Sequence, residues 1–345
     1  MNEQKIYESP DQFEKEDRIK EIRKTFNRCG FAVFGLTAFS VAISVILGFA
    51  LENADPALVS TYYSYRLVVN EILIALAVAV GALVLIGSQR NVPTRTKVDP
   101  KFFFLMLCIS FPIVAVGNML GITITSFFNF FSGSESLNPI AELLMEISPW
   151  QTALCAGILA PILEELFFRK LLIDRMRRHG DAAAIIVSAL LFGLFHQNFS
   201  QFFYTFGLGL LLGYLYCRTG SYIAVTLYHM VFNFIMGVLP AIFLPDLMKF
   251  LTDLSSLEGD IVLEVVLSML AAVAPSLIYF IIHGTVIGIL NLTGAILFFI
   301  NVKKIKLESD GSSLSMGARL KAALVNPGMI ASFILLFLLM ISSVF

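Results

Sequence analysis

Long apolar runs recur along the whole chain, and they restrict its fold more than any other feature. Ten runs are long enough, or almost long enough, to cross the ~30 Å hydrocarbon layer of a bilayer as a helix. They lie at about 31–51, 67–87, 102–128, 151–172, 182–197, 200–217, 221–239, 261–282, 284–301 and 328–344. Backbone polar groups in lipid must be bonded within their own segment, so a helix is expected for each run. The sequence therefore predicts an all-α, polytopic transmembrane helical bundle of about 8–10 membrane segments.

The composition agrees with a membrane protein and argues against other classes. Of the 345 residues 57% are hydrophobic and 14% are charged, whereas a soluble domain carries roughly 25% charged residues. The net charge is −1 and the basic residues are scattered between the apolar runs, so no nucleic-acid partner is expected. The four cysteines lie in or beside apolar runs without a CxxC pair, which favours reduced thiols.

The distribution of Lys and Arg predicts which loops face the cytoplasm, because cytoplasmic loops are enriched in both. The N-terminus, the loop 88–101 and the turn 174–180 are basic, whereas the loops 52–66 and 129–150 are almost free of basic residues. This alternation predicts a multi-pass integral protein of the cell (plasma) membrane with a cytoplasmic N-terminus.

The alternation fails after the seventh segment. If 261–282 and 284–301 both cross, the basic loop 302–327 lies outside. Either one of these two segments is re-entrant or the positive-inside rule is violated.

Charged residues stand inside one apolar run, in the stretch PILEELFFRKLL. A charge in hydrocarbon costs a few kcal/mol even on the most lenient scale. Glu165 and Arg169 are spaced i,i+4 with the acid first, which favours an ion pair. Glu164 lies about 100° around the helix, and Arg169 cannot serve both acids equally. An intramembrane acid without a dedicated partner predicts a functional site.

Two further segments bring polar residues to the depth of Glu164. Glu164 lies sixteen residues before Gly180 and His196 sixteen residues after it, so an antiparallel hairpin places them at one height. His229 lies nine residues beyond the next inner turn, a depth of ~13 Å. Asn233 shares the helix face of His229, and Phe192 lies one turn before His196. We therefore expect one carboxylate, two imidazoles and an amide at a common level.

The three polar stretches form an ordered set of motifs. EELFFR (Glu164–Arg169) fits EExxxR, FGLFH (Phe192–His196) fits FxxxH, and HMVFN (His229–Asn233) fits HxxxN, while HExxH and GxSxG are absent from the sequence. In that order the motifs resemble the CPBP family, which contains the type II CAAX prenyl endopeptidases and the bacteriocin-processing and self-immunity proteins. The resemblance covers about residues 145–240.

The resemblance implies proteolysis within the membrane and a role for each motif residue. Glu164 and His196 would polarise and deprotonate the attacking water, while His229 and Asn233 would donate hydrogen bonds to the oxyanion. The supporting residues would be Glu165 and Arg169, which fix the first helix, and Phe192, which packs beside His196. The substrate would be a peptide bond of a membrane-associated protein or peptide, CAAX-type or bacteriocin-related, reached from the lipid bilayer.

The charge pattern, the apolar runs and, for the core, the resemblance together suggest a division of the chain into four regions. These are a cytoplasmic charged helix on the membrane surface at 1–30, N-terminal transmembrane helices at 31–128, a catalytic core of four membrane segments at 145–240, and C-terminal transmembrane helices at 241–345. Within the last region, the proline-containing stretch 240–260 is expected to form an external loop.

Several alternatives stay open at this point. Glu164, His196 and His229 could hold zinc with an open position for water, or glutamate could act without a metal. A non-catalytic membrane protein of bacteriocin immunity would sequester its partner without cleaving it. An ion-coupled transporter would also place Glu and His inside the membrane, although transporters commonly carry such residues in two related halves.

Overall fold

The computed structural model describes residues 10–133, 147–255 and 263–343, and within these ranges every regular element is helical. The predicted all-α membrane bundle is confirmed, since six of the described helices are long and apolar enough to span a membrane and a bent pair would make a seventh. The helices are α1 (Pro10–Glu52), α2 (Pro56–Val84), α3 (Pro100–Ser132), α4 (Pro149–His179), α5 (Asp181–Phe195), α6 (Phe199–Thr219), α7 (Tyr222–Ser255), α8 (Leu263–Asn301), α9 (Met316–Leu324) and α10 (Pro327–Ser342).

The sequence predicts a separate charged helix on the membrane surface at 1–30, but the described part of this region is not a separate helix. Its described part, from Pro10 onwards, continues directly into the first apolar run as the 43-residue helix α1. Opposite charges three residues apart, such as Arg18 with Glu21, stabilise the exposed turns. Residues 1–9 lie outside the described ranges.

Two of the ten predicted membrane segments are one helix. α8 runs without a break through 261–282 and 284–301 from Leu263 onwards, because Gly284, at the junction of the two segments, costs a helix only about 1 kcal/mol. The chain after α8 returns to the turn at Gly180, where the backbone N–H of Asp181 donates to the carbonyl of Glu308 over 2.9 Å. The basic loop 302–327 therefore starts on the same side as the turn 174–180, and the exception to the charge rule disappears. The stretch 240–255, expected as a loop, is also helical through Pro245.

The connecting segments that are rich in Lys and Arg lie together at one end of the bundle, which we call the basic end. It consists of the loop 85–99, the turn 174–181 and the loop 302–315. Arg177 of the turn forms ion pairs with Asp181 at 3.0 Å and with Glu308 at 2.9 Å. These contacts hold the segments around α4 and α5 in register.

Helix α4 contains two stretches of wide, π-helical turns, Cys155–Leu159 and Glu165–Ile173. Pro161 explains the first stretch, because its ring removes a backbone N–H from the helix. The N–H of Ala160 reaches the carbonyl of Cys155 in the i→i−5 pattern, and the next donor in that pattern would be Pro161. The carbonyl of Ala156 is thus left without a helical partner.

Helix α2 lies parallel to α4 from Ser64 onwards. The Gln151 amide donates to the carbonyl of Ser64 at one end, and Arg175 donates to Ser88 at the other; both pairs are 87 residues apart. Between them, a methyl group added at Gly81 would overlap the ring of Phe167. The constant offset means that each residue of α2 lies level with the residue of α4 numbered 87 higher.

Candidate active site

Three helices bring the motif residues together. Glu164, Glu165 and Arg169 lie on α4, His196 caps the C-terminal end of α5 behind Phe192, and His229 and Asn233 lie on α7. The Ser188 hydroxyl of α5 donates to the carbonyl of Phe168 over 2.9 Å, which fixes α5 against α4 beside the site. Helix α4, which carries the first motif, therefore packs against both α5 and α7, which carry the other two.

The ion pair of Glu165 and Arg169 is buried within α4. Arg169 Nε lies 3.1 Å from Glu165 Oε2, both side chains are 0% exposed, and the N–H does not point at that oxygen. The guanidinium carbon lies 4.5 Å from the ring centre of Phe192, and Nη2 lies 3.5 Å from the carbonyl oxygen of Gly209. A desolvated cation over an aromatic face gains up to about 2 kcal/mol, so Phe192 supports Arg169 as well as His196.

His229 lies between the two adjacent glutamates. Its Nδ1 is 2.9 Å from Glu165 Oε1, and its Nε2 is 3.7 Å from Glu164 Oε2. An ionised carboxylate only accepts hydrogen bonds, so Nδ1 carries a proton. Nε2 can then donate only when the ring is an imidazolium. Glu165 therefore does more than pair with Arg169: it sets the tautomer of His229, a contact that the spacing of the motifs does not reveal.

His196 also carries a proton on Nδ1, but its partner is a backbone carbonyl and not a carboxylate. Its Nδ1 is 2.9 Å from the carbonyl oxygen of Phe192, and a carbonyl can only accept. The proton is thus on Nδ1, and the lone pair of Nε2 forms no hydrogen bond within the described residues. Both imidazoles meet the ring of Phe192 edge-to-face, with ring centres 5.0 Å away for His196 and 5.9 Å away for His229.

Asn233 of α7 contacts α4 nearer to the N-terminal end of α4 than His229 does. Its amide nitrogen donates to the carbonyl of Ala156 over 2.9 Å, the group that Pro161 leaves without a helical partner. The amide has two N–H groups, so one remains for a ligand. Asn233 and His229 are expected to act together as oxyanion donors. Asn233 can contribute only its second amide N–H, and His229 can donate from Nε2 only as an imidazolium.

The comparison with known families agrees with this geometry. Residues 146–235, about a quarter of the chain, match the family described as Type II CAAX prenyl endopeptidase Rce1-like. Residues 146–235, which we call the CPBP segment, are therefore similar to the CPBP family. All three motifs lie inside the match, and the resemblance inferred from them is confirmed. Searches among curated proteins and among solved structures found no match.

Glu71 of α2, outside the CPBP segment, is a third acid near the site. It is 7% exposed, and its Oε2 is buried without a hydrogen bond in the described part of the protein. The α2–α4 offset places it level with residue 158, six residues and ~9 Å from Glu164 along the axis. The two carboxylates interact electrostatically. The sequence could have indicated Glu71 as a candidate, since it is an acid inside the apolar run 67–87.

Two tyrosines inside the CPBP segment also interact with the stretch around Glu164. The Glu164 carboxylate acts electrostatically on Tyr204 of α6, and the Tyr222 hydroxyl donates to the carbonyl of Ile162 over 2.8 Å. Helix α6 packs closely on α3, because Gly117 of α3 lies directly on the backbone of Tyr204. Nothing in the sequence distinguishes these tyrosines, since their positions depend on how the helices pack.

The predicted zinc site requires three ligands around one point. Among the described residues no group of three His, Cys, Asp or Glu side chains is arranged to hold a metal ion. The free Nε2 atoms of two histidines and one carboxylate are suitable donor types for zinc. The described side chains are not arranged as a three-ligand site, and we propose no catalytic step through a metal.

Proposed function

We propose that this protein is an intramembrane endopeptidase that hydrolyses a peptide bond of a membrane-associated protein or peptide. The observation that carries the proposal is the meeting of Glu164 with His229 at 3.7 Å, inside a segment of the CAAX-protease family. Both histidines of the site are held through Nδ1, which leaves both Nε2 atoms for substrate or water.

The first step is the activation of water. We place the water between Glu164 and His196, where the carboxylate takes one proton and the free Nε2 lone pair of His196 accepts a hydrogen bond from the other. The water oxygen then attacks the carbonyl carbon of the scissile bond. General-base catalysis of this kind contributes typically about 10²–10⁴-fold to a rate.

The second step is the stabilisation and collapse of the tetrahedral intermediate. His229 as imidazolium, balanced by Glu165, donates from Nε2 to the oxyanion, together with the remaining N–H of Asn233. Glu164 returns its proton to the amine nitrogen, the C–N bond breaks, and a carboxylic acid, which still holds the second proton of the water, and an amine are released. The proton that Glu164 takes in the first step is the one it gives back in the second.

The membrane setting restricts the substrate. A scissile bond at this depth belongs to a lipid-anchored or membrane-inserted segment, either a CAAX-type tail or a bacteriocin-related peptide. The positive-inside rule supports a cytoplasmic basic end and therefore a cytoplasmic N-terminus, and we propose the plasma membrane as the host membrane.

The test uses the full chain reconstituted in liposomes and a farnesylated CAAX reporter peptide, with a bacteriocin leader peptide as the second substrate. We expect Glu164→Gln and His196→Ala each to reduce cleavage by about 100-fold or more. Glu264→Gln, at an exposed position of α8, is the matched control and should cleave like the parent chain. A correctly folded Glu164→Gln variant that cleaves at the parent rate contradicts the proposal.

The same assay decides between the metal-dependent and the metal-free mechanism. Cleavage is expected to survive treatment with a zinc chelator, because the described side chains are not arranged as three ligands. Loss of cleavage with chelator and its recovery with added zinc would instead support the metal alternative.

A further inference from the structure

A cavity at the basic end, distant from the proposed active site, is lined mainly by cations. It has a volume of about 360 Å³ and lies between α1, the C-terminal end of α2 and the final turn of α4. Its charged lining residues are Lys24, Arg28, Arg175, Arg178 and Glu21. Four positive charges face one negative charge, which gives a local net charge of +3.

Two of these cations are held in place by neutral groups. Arg28 donates from Nε to the carbonyl of Val84 over 2.7 Å, and Arg175 donates from Nη2 to the carbonyl of Leu85 over 3.2 Å. These bonds satisfy carbonyls at the C-terminal end of α2, where cations are favourable. Carbonyl groups orient a guanidinium but do not neutralise it. Both arginines are thus preorganised and still carry full charge.

The single acid of the cavity cannot balance the remaining charge. Glu21 lies 3.6 Å from Arg178, and it is shared with Arg18, which lies 3.5 Å away. Lys24 is exposed and forms no ion pair among the described residues. The cavity therefore has at least two more positive charges than nearby acids can compensate.

The location of the cavity identifies the kind of anion that it meets. Cys29 lines it, and the first apolar run of the chain begins two residues later at Phe31. The cavity thus lies where hydrocarbon gives way to lipid headgroups. Arginine binds phosphate through paired N–H donors and lysine through a compact charge, so this lining suits a phosphate group.

A general excess of basic residues at one membrane face is the alternative explanation. Such an excess requires no cavity, and exposed cations such as Lys303 and Arg218 at the same end illustrate it, since they do not line the cavity. Convergence of four cations on one concave space is a different arrangement. We propose that this cavity binds a phosphate group, carried by an anionic phospholipid or by a soluble phosphate.

The test uses the purified full chain in a neutral detergent and two probes, inorganic phosphate and dihexanoyl-phosphatidylglycerol. Binding is measured by calorimetry and by the rise of the unfolding temperature with probe concentration. Each Lys or Arg near an anionic headgroup contributes about fivefold to affinity. We therefore expect the double variant Lys24→Gln, Arg178→Gln to bind about 30-fold more weakly than the parent chain.

The control removes one lysine and one arginine at the same end but outside the cavity, by Lys303→Gln and Arg218→Gln. It should bind like the parent chain. Because Arg178 also contacts Gln89, the single variant Lys24→Gln, at an exposed side chain, provides the fold-independent check and should bind about fivefold more weakly.

The two probes separate the two sources of phosphate. Cavity-dependent binding of inorganic phosphate supports recognition of the phosphate itself, and cavity-dependent binding of the lipid alone supports a phospholipid headgroup. Binding of neither probe, or equal weakening in the cavity and control variants, overturns the proposal. None of these measurements uses peptide cleavage, so they are independent of the proposed protease activity.

Discussion

Replacement of Glu165 by Gln separates two roles of one side chain. In the parent protein Glu165 neutralises Arg169 at 3.1 Å and holds Nδ1 of His229 at 2.9 Å, with no solvent exposure. Removing one partner of a buried ion pair costs about 3–5 kcal/mol. Arg169 keeps its place 4.5 Å from the centre of the Phe192 ring, so we expect the lower value, about 3 kcal/mol of unfolding free energy.

The catalytic effect of the same change rests on the proposed protease function. A glutamine oxygen still accepts the Nδ1 proton of His229, so the ring keeps its orientation but loses the charge that stabilises an imidazolium. We expect cleavage of the farnesylated reporter to fall about 100-fold.

A second variant distinguishes lost stability from lost chemistry. Glu165→Gln combined with Arg169→Met removes both charges and should recover most of the unfolding free energy. Cleavage should stay low, because His229 still lacks its carboxylate. Recovery of stability and cleavage together would refute the catalytic role of Glu165. Glu308→Gln is the control, since this acid is 78% exposed and its loss should cost less than about 1 kcal/mol.

Two further predictions concern residues outside the CPBP segment. Glu71→Gln replaces a buried acid that has no ion pair among the described residues, so it should raise the unfolding free energy by about 1–3 kcal/mol in detergent; a destabilised variant would show that the charge of Glu71 is compensated. Gly30→Ala should lower the unfolding free energy by about 1–3 kcal/mol, because a methyl group there overlaps the backbone of Gly328 on α10. Gly48→Ala on the same helix has open space and should be neutral or stabilising by up to about 1 kcal/mol, so equal losses in both variants would contradict this account of the packing.

The sequence predicts the helices and the composition of the candidate site because both depend on local spacing. The i,i+4 relation of Glu165 and Arg169 and the equal distances of Glu164 and His196 from Gly180 need only the rise of a helix. The class of the fold and the family follow from the same patterns. The catalytic roles of the site residues stay predictions that cleavage assays must test.

The parts that the sequence does not predict depend on packing between distant segments. The contact of Glu165 with His229 requires the relative rotation of α4 and α7. The approach of Glu71 depends on the parallel register of α2 and α4. The continuity of α8 is a different kind of miss, since a hydropathy window divides an apolar stretch at His283 and Gly284 while the helix itself tolerates both.

Helix α8 is much longer than the bilayer is thick. Its 39 residues extend ~58 Å, about twice the ~30 Å of the hydrocarbon core. Such a hydrophobic mismatch is relieved by tilting the helix or by thickening the surrounding lipid. α8 packs on α3 where Gly294 meets the carbonyl of Cys108, and α3 packs on α6 at Tyr204. We therefore expect a change in the acyl-chain length of the host membrane to be transmitted, through these two helix contacts, to the helix that carries Tyr204 beside the candidate active site.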